Sequence, residues 1–165
     1  MLSKVITLAG GVAGAASFSQ FPEFSQQYIQ RMGGAVDELT RFVAEFDADA
    51  AELGLSREAA LVDLAAGGDM GRARAETVAG TITRHARLEA DLRALEGAGP
   101  FTRAYEMRRF SDSEIAARAW EAYKPAVPLT FEGGVFAGAG FLAGFGLIGG
   151  LMGLLRKNFR RRVSV

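Results

Sequence analysis

The sequence predicts an all-α membrane protein in which two transmembrane helices flank an extramembrane helical hairpin or small bundle. Two observations carry this prediction. The chain is apolar and rich in glycine at both ends, whereas its middle is charged and has the residue pattern of amphipathic helices. The charges are also sorted along the chain: residues 20–126 hold 13 Lys and Arg against 18 Asp and Glu, and the last ten residues hold five cations and no acidic side chain.

The second predicted transmembrane helix is the stronger of the two. Residues 133–155 form an uncharged run of 23, of which eleven are large and apolar, nine are Gly and three are Ala. At 1.5 Å per residue this run reaches about 34 Å, enough to cross a hydrocarbon core of ~30 Å. In lipid the backbone must satisfy its own hydrogen bonds, so the low helix propensity of Gly in water is overridden.

The first predicted transmembrane helix lies within residues 1–21 and is shorter and less apolar. Its apolar part runs from Val5 to Phe21, between Lys4 and Pro22. Three interpretations compete for this segment: a retained transmembrane helix, a cleaved signal peptide, and a buried helix of the extramembrane part. We expect the retained helix.

A basic tail, residues 156–165, predicts the orientation. Cations that flank a transmembrane helix stay in the cytoplasm, whereas a loop longer than about 60 residues is translocated largely regardless of its charge. We therefore expect a bacterial inner-membrane protein with both termini in the cytoplasm, a periplasmic domain over residues 22–126 and the second span within residues 127–155. The tail cations, which would also contact anionic lipid headgroups, are Arg156, Lys157, Arg160, Arg161 and Arg162.

The apolar spacing in the first part of the predicted periplasmic domain indicates one long helix. Its apolar residues step by four and three, which is typical of a coiled-coil seam. We expect a helix from about Pro22 to Glu52, in which Gly33-Gly34 marks a close helix crossing or a bend. The seam residues are Tyr28, Met32, Ala35, Leu39, Phe42 and Phe46.

Three further helices are expected in the domain. Ser56 predicts the N-cap of a short helix that ends at Gly67-Gly68. A longer helix follows from about Met70 to Leu95, with Val78, Ile82, Leu88, Leu92 and Leu95 buried, and it stops at the Gly and Pro residues of 97–100. The capping-box sequence Ser111-Asp112-Ser113-Glu114 predicts the start of the last helix.

Small residues recur every four positions in both predicted spans. This spacing lets helix backbones approach closely. At 100° per residue the glycines of the second span fall on two faces, which predicts two neighbours: the first span, and a second copy or a different membrane subunit. The alternative is that these glycines simply tolerate lipid. The spaced pairs are Gly10 and Gly14, Gly134 and Gly138, Gly140 and Gly144, Gly146 and Gly150, and Gly149 and Gly153.

The polar residues offer little chemistry. The chain contains no Cys, so no thiolate metal site is expected. Its only His is His85, and the nearest carboxylate, Glu89, would supply only one more ligand where a zinc site needs three or four, so no histidine metal site is expected either. No Ser lies in a nucleophile elbow. The net acidic middle argues against nucleic acid as a partner. We expect no cofactor, no small-molecule substrate and no enzymatic activity.

Glu132 is the one carboxylate beside the second span, and an ionisable group at a membrane is a functional candidate. Its position at a helix N-terminus also suits a purely structural role, because the helix dipole favours a negative charge there. Aromatic residues near the two spans would form an interfacial belt or part of the core; they are Phe18, Phe21, Phe24, Tyr28, Trp120, Tyr123 and Phe131.

Four runs of sequence carry a resemblance to a known family. They are residues 19–28 (SQFPEFSQQY), 31–39 (RMGGAVDEL), 97–105 (GAGPFTRAY) and 125–144 (PAVPLTFEGGVFAGAGFLAG). Together they resemble an uncharacterised family of bacterial membrane proteins, a domain of unknown function, over nearly the whole chain. The resemblance implies an inner-membrane location and supplies no activity or site residue.

These observations favour a non-enzymatic accessory or scaffold protein that forms a homo-oligomer or joins a larger membrane complex. One alternative is a transport or channel component that uses Glu132 at the periplasmic mouth of an oligomeric pore. A periplasmic hydrolase with a membrane anchor is a third hypothesis, although no catalytic cluster is visible in the sequence.

Overall fold

A computed structural model describes the fold of residues 2–124 and 130–163, with side chains as far as Leu155 in the last helix. Across these residues the chain is helical and contains no strand, which confirms the predicted all-α class. A short 3-10 helix, Met107–Arg109, precedes the sixth α-helix. The α-helices are α1 (Leu2–Ser19), α2 (Phe21–Glu52), α3 (Arg57–Ala66), α4 (Gly68–Leu95), α5 (Pro100–Tyr105), α6 (Ser113–Ala122) and α7 (Phe131–Val163).

A single residue, Gln20, separates α1 from α2. Pro22 does not interrupt α2 because it lies in the first turn, where backbone N–H groups have no intrahelical partner in any case. The helix predicted from Pro22 to Glu52 is therefore confirmed. Gly33 and Gly34 lie inside it without a break, and a Cβ atom added to either would meet nothing within 4 Å, so neither marks a close crossing.

The buried face of α2 differs from the predicted seam. Tyr28 and Met32 are fully buried as expected, but the rest of the seam, Ala35, Leu39, Phe42 and Phe46, is only half-buried. The other buried positions are Ile29, Val36, Val43 and Ala50. At 3.6 residues per turn these centre the buried stripe about 50° further round the helix than a strict four-three seam. Because Ile29, Val36, Val43 and Ala50 are seven residues apart, the helix keeps the heptad spacing of the predicted seam but buries a neighbouring face.

The ends of α3 and α4 follow the predicted capping. The Ser56 side chain accepts a hydrogen bond from the backbone N–H of Ala59 at 3.2 Å, which confirms it as the N-cap of α3. Gly68 has φ +83°, a conformation that L residues rarely adopt, and it allows the sharp turn into α4. In α4, Val78, Leu88 and Leu95 are buried, while Ile82 and Leu92 are half-buried.

The segment between α4 and α6 contains a helix that the sequence did not predict. Pro100 was expected only to stop α4, yet it is also the first residue of α5, a position that its fixed φ favours. The start of α6 is also shifted from the prediction by one residue. Asp112, rather than Ser111, caps the helix, since its Oδ1 accepts a hydrogen bond from the N–H of Ile115 at 3.1 Å.

By their contacts the described residues form two compact units. Unit 1 comprises Met1–Gln27, Gly99–Tyr105 and Ala119–Val165, and its main contact is the packing of α1 on α7. Unit 2 comprises Tyr28–Ala98 and Glu106–Arg118. The boundaries predicted at residues 21, 126 and 155 divide transmembrane from extramembrane segments. The two units are defined differently, by which residues contact each other.

Unit 2 is an antiparallel helical arrangement around a small core. Its fully buried large side chains are Tyr28 and Met32 of α2 together with Leu88 and Leu95 of α4. Thr40 of α2 and His85 of α4 lie 2.8 Å apart, Oγ1 to Nε2, further along the same pair of helices. The predicted hairpin of two long helices joined by a short one is confirmed.

Two helical stretches are long and apolar enough to cross a membrane. One begins with α1, and the other is Phe131–Leu155 of α7. Several large side chains of the second stretch face outwards; among them, Leu142 is 73% exposed and Leu147 is 74% exposed. Both stretches could therefore span a membrane, and the other helices lie between them in the chain.

Candidate functional site

The crossing of α1 and α7 is built from four glycines. A Cβ atom on Gly14 would overlap the carbonyl oxygen of Gly140, and one on Gly144 would overlap the carbonyl oxygen of Gly10. A Cβ atom on Gly140 would likewise overlap the carbonyl oxygen of Gly14, whereas one on Gly10 would overlap the side chain of Ile148. The two backbones are therefore in direct contact, a distance that only Gly permits. Because residue 10 faces 144 and residue 14 faces 140, the helices are antiparallel.

Larger side chains close the crossing around these glycines. The ring of Phe141 covers Gly11, where a Cβ atom would lie 2.7 Å from the nearest ring carbon. Phe18 packs beside Gly140, at 2.6 Å from the position that a Cβ atom would occupy. The interface thus alternates bare backbone with bulky side chains, which fills space without a polar contact.

The other glycines of α7 do not contact α1 in this way. A Cβ atom on Gly134, Gly138, Gly146, Gly150 or Gly153 would meet nothing within 4 Å. Gly149 is intermediate, with Thr7 Cγ2 at 3.3 Å from its added Cβ. Of the pairs predicted from the sequence, Gly10 with Gly14 and Gly140 with Gly144 meet each other, whereas Gly134 with Gly138 and Gly146 with Gly150 face away from the rest of the described chain.

Hydroxyl side chains of α1 donate hydrogen bonds to carbonyl groups of the same helix. The Thr7 hydroxyl donates to the carbonyl of Ser3 at 2.8 Å, and the Ser17 hydroxyl donates to the carbonyl of Ala13 at 2.9 Å. These bonds to the preceding turn pair the two hydroxyl protons within the helix, as an apolar environment requires. These two hydroxyl groups therefore do not prevent α1 from lying in lipid.

An aromatic cluster lies at the other end of the same unit. Phe136 packs on Phe21 and on Phe101, with ring centroids 5.3 and 5.5 Å apart. Phe24 contacts both Trp120 and Tyr123 at 6.2 Å. Trp120 and Phe131 are 69% and 78% exposed, as residues of an interfacial belt would be.

The aromatic residues singled out near the two spans were predicted to lie either in the core or in an interfacial belt. Tyr28 does not belong to it, because it is fully buried in unit 2, where its hydroxyl accepts a hydrogen bond from the Asp112 N–H at 3.1 Å. Burial raises the pKa of Tyr28 above its ordinary value. Phe101 and Phe136 were missed, since α5 was not predicted and Phe136 was counted only as part of the apolar run.

Glu132 lies in the first turn of α7 and is half-buried. The helix is capped by Thr130, whose hydroxyl oxygen accepts a hydrogen bond from the Gly133 N–H at 3.1 Å. A carboxylate in this position is favoured by the unpaired N–H groups and the dipole of the helix. The geometry therefore places Glu132 at a helix start rather than within the apolar run.

Arg103 of α5 is a buried cation that the sequence did not single out. It is 9% exposed, its Nη1 donates to Gln26 Oε1 at 2.7 Å, and its Nε has no hydrogen-bond partner among the described residues. Burial lowers the pKa of its guanidinium group. The sequence offered one indication of this burial, since Arg103 is the one charged residue between Phe101 and Tyr105.

The most buried charged residue of unit 2 is Asp112. This carboxylate is 6% exposed and accepts hydrogen bonds from Arg84 Nε at 2.9 Å and from Arg87 Nη2 at 3.2 Å. Mainly because of the Arg84 hydrogen bond, the pKa of Asp112 is lowered. Together with the cap to Ile115 and the Tyr28 hydroxyl, the network ties α2, α4 and α6 together. Its role is to hold these three helices together.

No group of three or more His, Asp or Glu side chains that could hold a metal ion occurs in the part of the chain that the structure describes. His85 lies beside Thr40 and directly follows Arg84 of the Asp112 network in the chain. The side chains of the tail cations, Arg156, Lys157, Arg160, Arg161 and Arg162, fall outside the described residues.

Comparison with known proteins gives one match. No curated protein and no solved structure matches the chain. The family described as protein of unknown function (DUF2937) matches residues 2–161, which include both candidate spans and everything between them. The match confirms the resemblance to an uncharacterised family, and the chain belongs to the DUF2937 family.

Proposed function

We propose that this chain is a non-enzymatic two-span membrane protein that serves as an accessory or scaffold subunit, and that it assembles through the outer face of α7 with a second copy or with another membrane protein. One observation carries the proposal. The glycines of α7 are divided between a face that packs on α1 and a face on which Gly146 and Gly150 meet nothing.

The open pair has the same spacing as the packed pair on the same helix. Gly140 and Gly144 bring α1 into backbone contact. Helices in lipid associate through this kind of close packing, because the hydrophobic effect does not drive them together there. Gly146 and Gly150 offer the same shallow groove to a further helix. Leu142 and Leu147, both largely exposed, would flank that helix and pack along its sides.

The proposal includes a location. We place the protein in a bacterial inner membrane, with both termini in the cytoplasm and the helices between the spans in the periplasm. The antiparallel crossing of α1 and α7 supports the common side of the two chain ends. The cation-rich tail that follows the second span supports the direction. The periplasmic helices would then provide a docking or spacing surface.

Purification of the full chain in mild detergent, followed by native mass measurement, tests the assembly. We expect a defined homo-oligomer or a stoichiometric complex with another membrane protein. Replacing both Gly146 and Gly150 with Leu should release the monomer, because the side chains fill the groove. The matched control replaces the same two residues with Ala, which keeps the surface shallow and should preserve most of the assembly.

Two results would count against the proposal. A wild-type chain that is monomeric, with no accompanying protein, would remove the scaffold function. An assembly that survives the paired Leu substitutions unchanged would show that the outer face of α7 is not the contact.

A further inference from the structure

A second feature of the α1 and α7 pair lies at the end opposite the aromatic cluster. A groove of about 500 Å³ opens there, between the start of α1 and residues 145–153 of α7. This volume is within the range of small-molecule sites, about 300–1,000 Å³. Its lining residues are Ser3, Lys4, Thr7 and Leu8 of α1 and Phe145, Gly149, Met152 and Gly153 of α7.

The groove is amphiphilic along its length. Leu8 and Phe145 lie deepest in the apolar span, and Gly149 and Gly153 leave the helix backbone bare where side chains would otherwise fill the space. Ser3 and Lys4, at the start of α1, form its polar end. An occupant must therefore have an apolar part that enters between the helices and a polar part that stays at the surface.

The positive charge at this end of the helix pair favours an occupant whose polar part is an anion. Lys4 is the only charged residue among residues 1–22, and from Gly133 to the end of the chain there is no acidic side chain. Five more cations follow in the tail. Lys4 therefore has no carboxylate side chain near it along either helix, and its ammonium group would attract an anion at the membrane surface.

We propose that this groove binds one anionic phospholipid, with an acyl chain against Gly149 and Gly153 and the phosphate beside the Lys4 ammonium group. The inference rests on the membrane location in the proposed function but not on the assembly through Gly146 and Gly150. The bound lipid would fill the space between the start of α1 and the later part of α7, beyond the contact of Gly10 with Gly144.

Native mass spectrometry of the detergent-solubilised full chain, titrated separately with phosphatidylglycerol and phosphatidylcholine, tests the inference. We expect one phosphatidylglycerol per chain, retained at least fivefold better than phosphatidylcholine. Lys4→Gln should weaken phosphatidylglycerol retention about fivefold, the factor expected for one cation near an anionic surface, and leave phosphatidylcholine unchanged.

Gly153→Leu should abolish the retention of both lipids, because its side chain would occupy the groove. A Cβ atom there meets nothing within 4 Å, so the fold should tolerate it. Gly138→Leu is the matched control: it is the same substitution at an equally open glycine of α7 that does not line the groove, and it should retain lipid as the wild type does.

Equal retention of the two lipids, or unchanged retention by Gly153→Leu, would overturn the inference. The same spectra report the number of chains in each particle, so the two proposals fail separately. A monomer with bound phosphatidylglycerol contradicts only the assembly, whereas an oligomer without selective lipid contradicts only the lipid site.

Discussion

Gly14 packs directly on the carbonyl oxygen of Gly140, so closely that a methyl group at position 14 would overlap that oxygen. The contact joins backbone to backbone across two helices that are more than a hundred residues apart in sequence. A flexible side chain could move aside, but a helix carbonyl cannot do so without separating the helices. The crossing therefore depends on the absence of a side chain at these positions.

Gly14→Ala is expected to destabilise the packing of α1 on α7 by about 1–3 kcal/mol, the usual cost of overpacking a tight interface. Thermal unfolding of the detergent-solubilised chain measures this. Gly138→Ala, which adds a methyl group to open space on α7, is the control and should leave the unfolding temperature nearly unchanged. Equal unfolding temperatures for the two variants would contradict the backbone contact.

Gly33→Ala is expected to stabilise the helical unit by about 0.5–1 kcal/mol, because Ala is the better helix former and its methyl group meets nothing within 4 Å. Gly54→Ala serves as the comparison. It also enters open space, but Gly54 has φ +70°, so the substitution should destabilise by roughly 1–2 kcal/mol. Unfolding of both variants by urea checks the opposite signs, and a loss of stability in Gly33→Ala would contradict the open environment.

Asp112 should make stability depend on pH in the acid range. Its pKa in the folded chain lies below the ordinary value of 3.8, chiefly through the Arg84 hydrogen bond. The stabilisation is therefore complete above the unfolded-state pKa and is lost as the pH falls through the folded value. The free energy of unfolding of the wild type should thus decrease as the pH falls below about 4.

Asp112→Asn removes this charge and keeps a capping side chain. We expect a loss of about 1–3 kcal/mol at pH 7, below the range for a fully buried pair because Arg84 and Arg87 are 33% and 50% exposed. The acid dependence should also become shallower. Asp47→Asn, at a more exposed pair with Arg57, is the comparison and should cost less. An equal loss for both variants would show that burial of Asp112 adds nothing.

The proposed orientation can be tested with single cysteines, since the chain has none of its own. Ala51→Cys at the end of α2 and Leu2→Cys at the start of α1 are both at exposed positions. In intact spheroplasts a membrane-impermeant maleimide should label the first and should label the second only after the membrane is permeabilised. The reverse pattern would invert the orientation.

The transport alternative makes a distinct prediction at Glu132. If the protein is an accessory subunit, liposomes that contain it should conduct protons and ions no faster than empty liposomes, and Glu132→Gln should change nothing. The measurement is dye-reported flux under an imposed gradient. Flux that the wild type supports and Glu132→Gln abolishes would establish the transport function instead.

Local signals in the sequence predicted much of the fold. The N-cap at Ser56, the stop at Gly67-Gly68 and the long α2 are set by residues within a few positions of each other, so they are visible without tertiary knowledge. The helix α5 was missed because Pro100 signals both a stop and a start. The choice of Asp112 over Ser111 as the cap of α6 depends on Arg84 and Tyr28, which are distant in sequence.

The candidate site was predictable only in part, for the same reason. Spacing identified the glycine pairs of α7 and indicated two faces. It could not show that Gly140 with Gly144 meets α1 while Gly146 with Gly150 is open, because that depends on the register between helices. Arg103 shows the limit most clearly, since its burial is created by α5 and by Gln26 of α2.

The backbone crossing also has a consequence for synthesis. Gly14 leaves the ribosome 126 residues before Gly140, an interval of about 6–25 seconds at roughly 5–20 residues per second. Throughout that time α1, the less apolar of the pair, has no neighbour in its own chain to cover its exposed backbone. If the chain spans a membrane as proposed, its first helix must stay inserted for that interval without its partner.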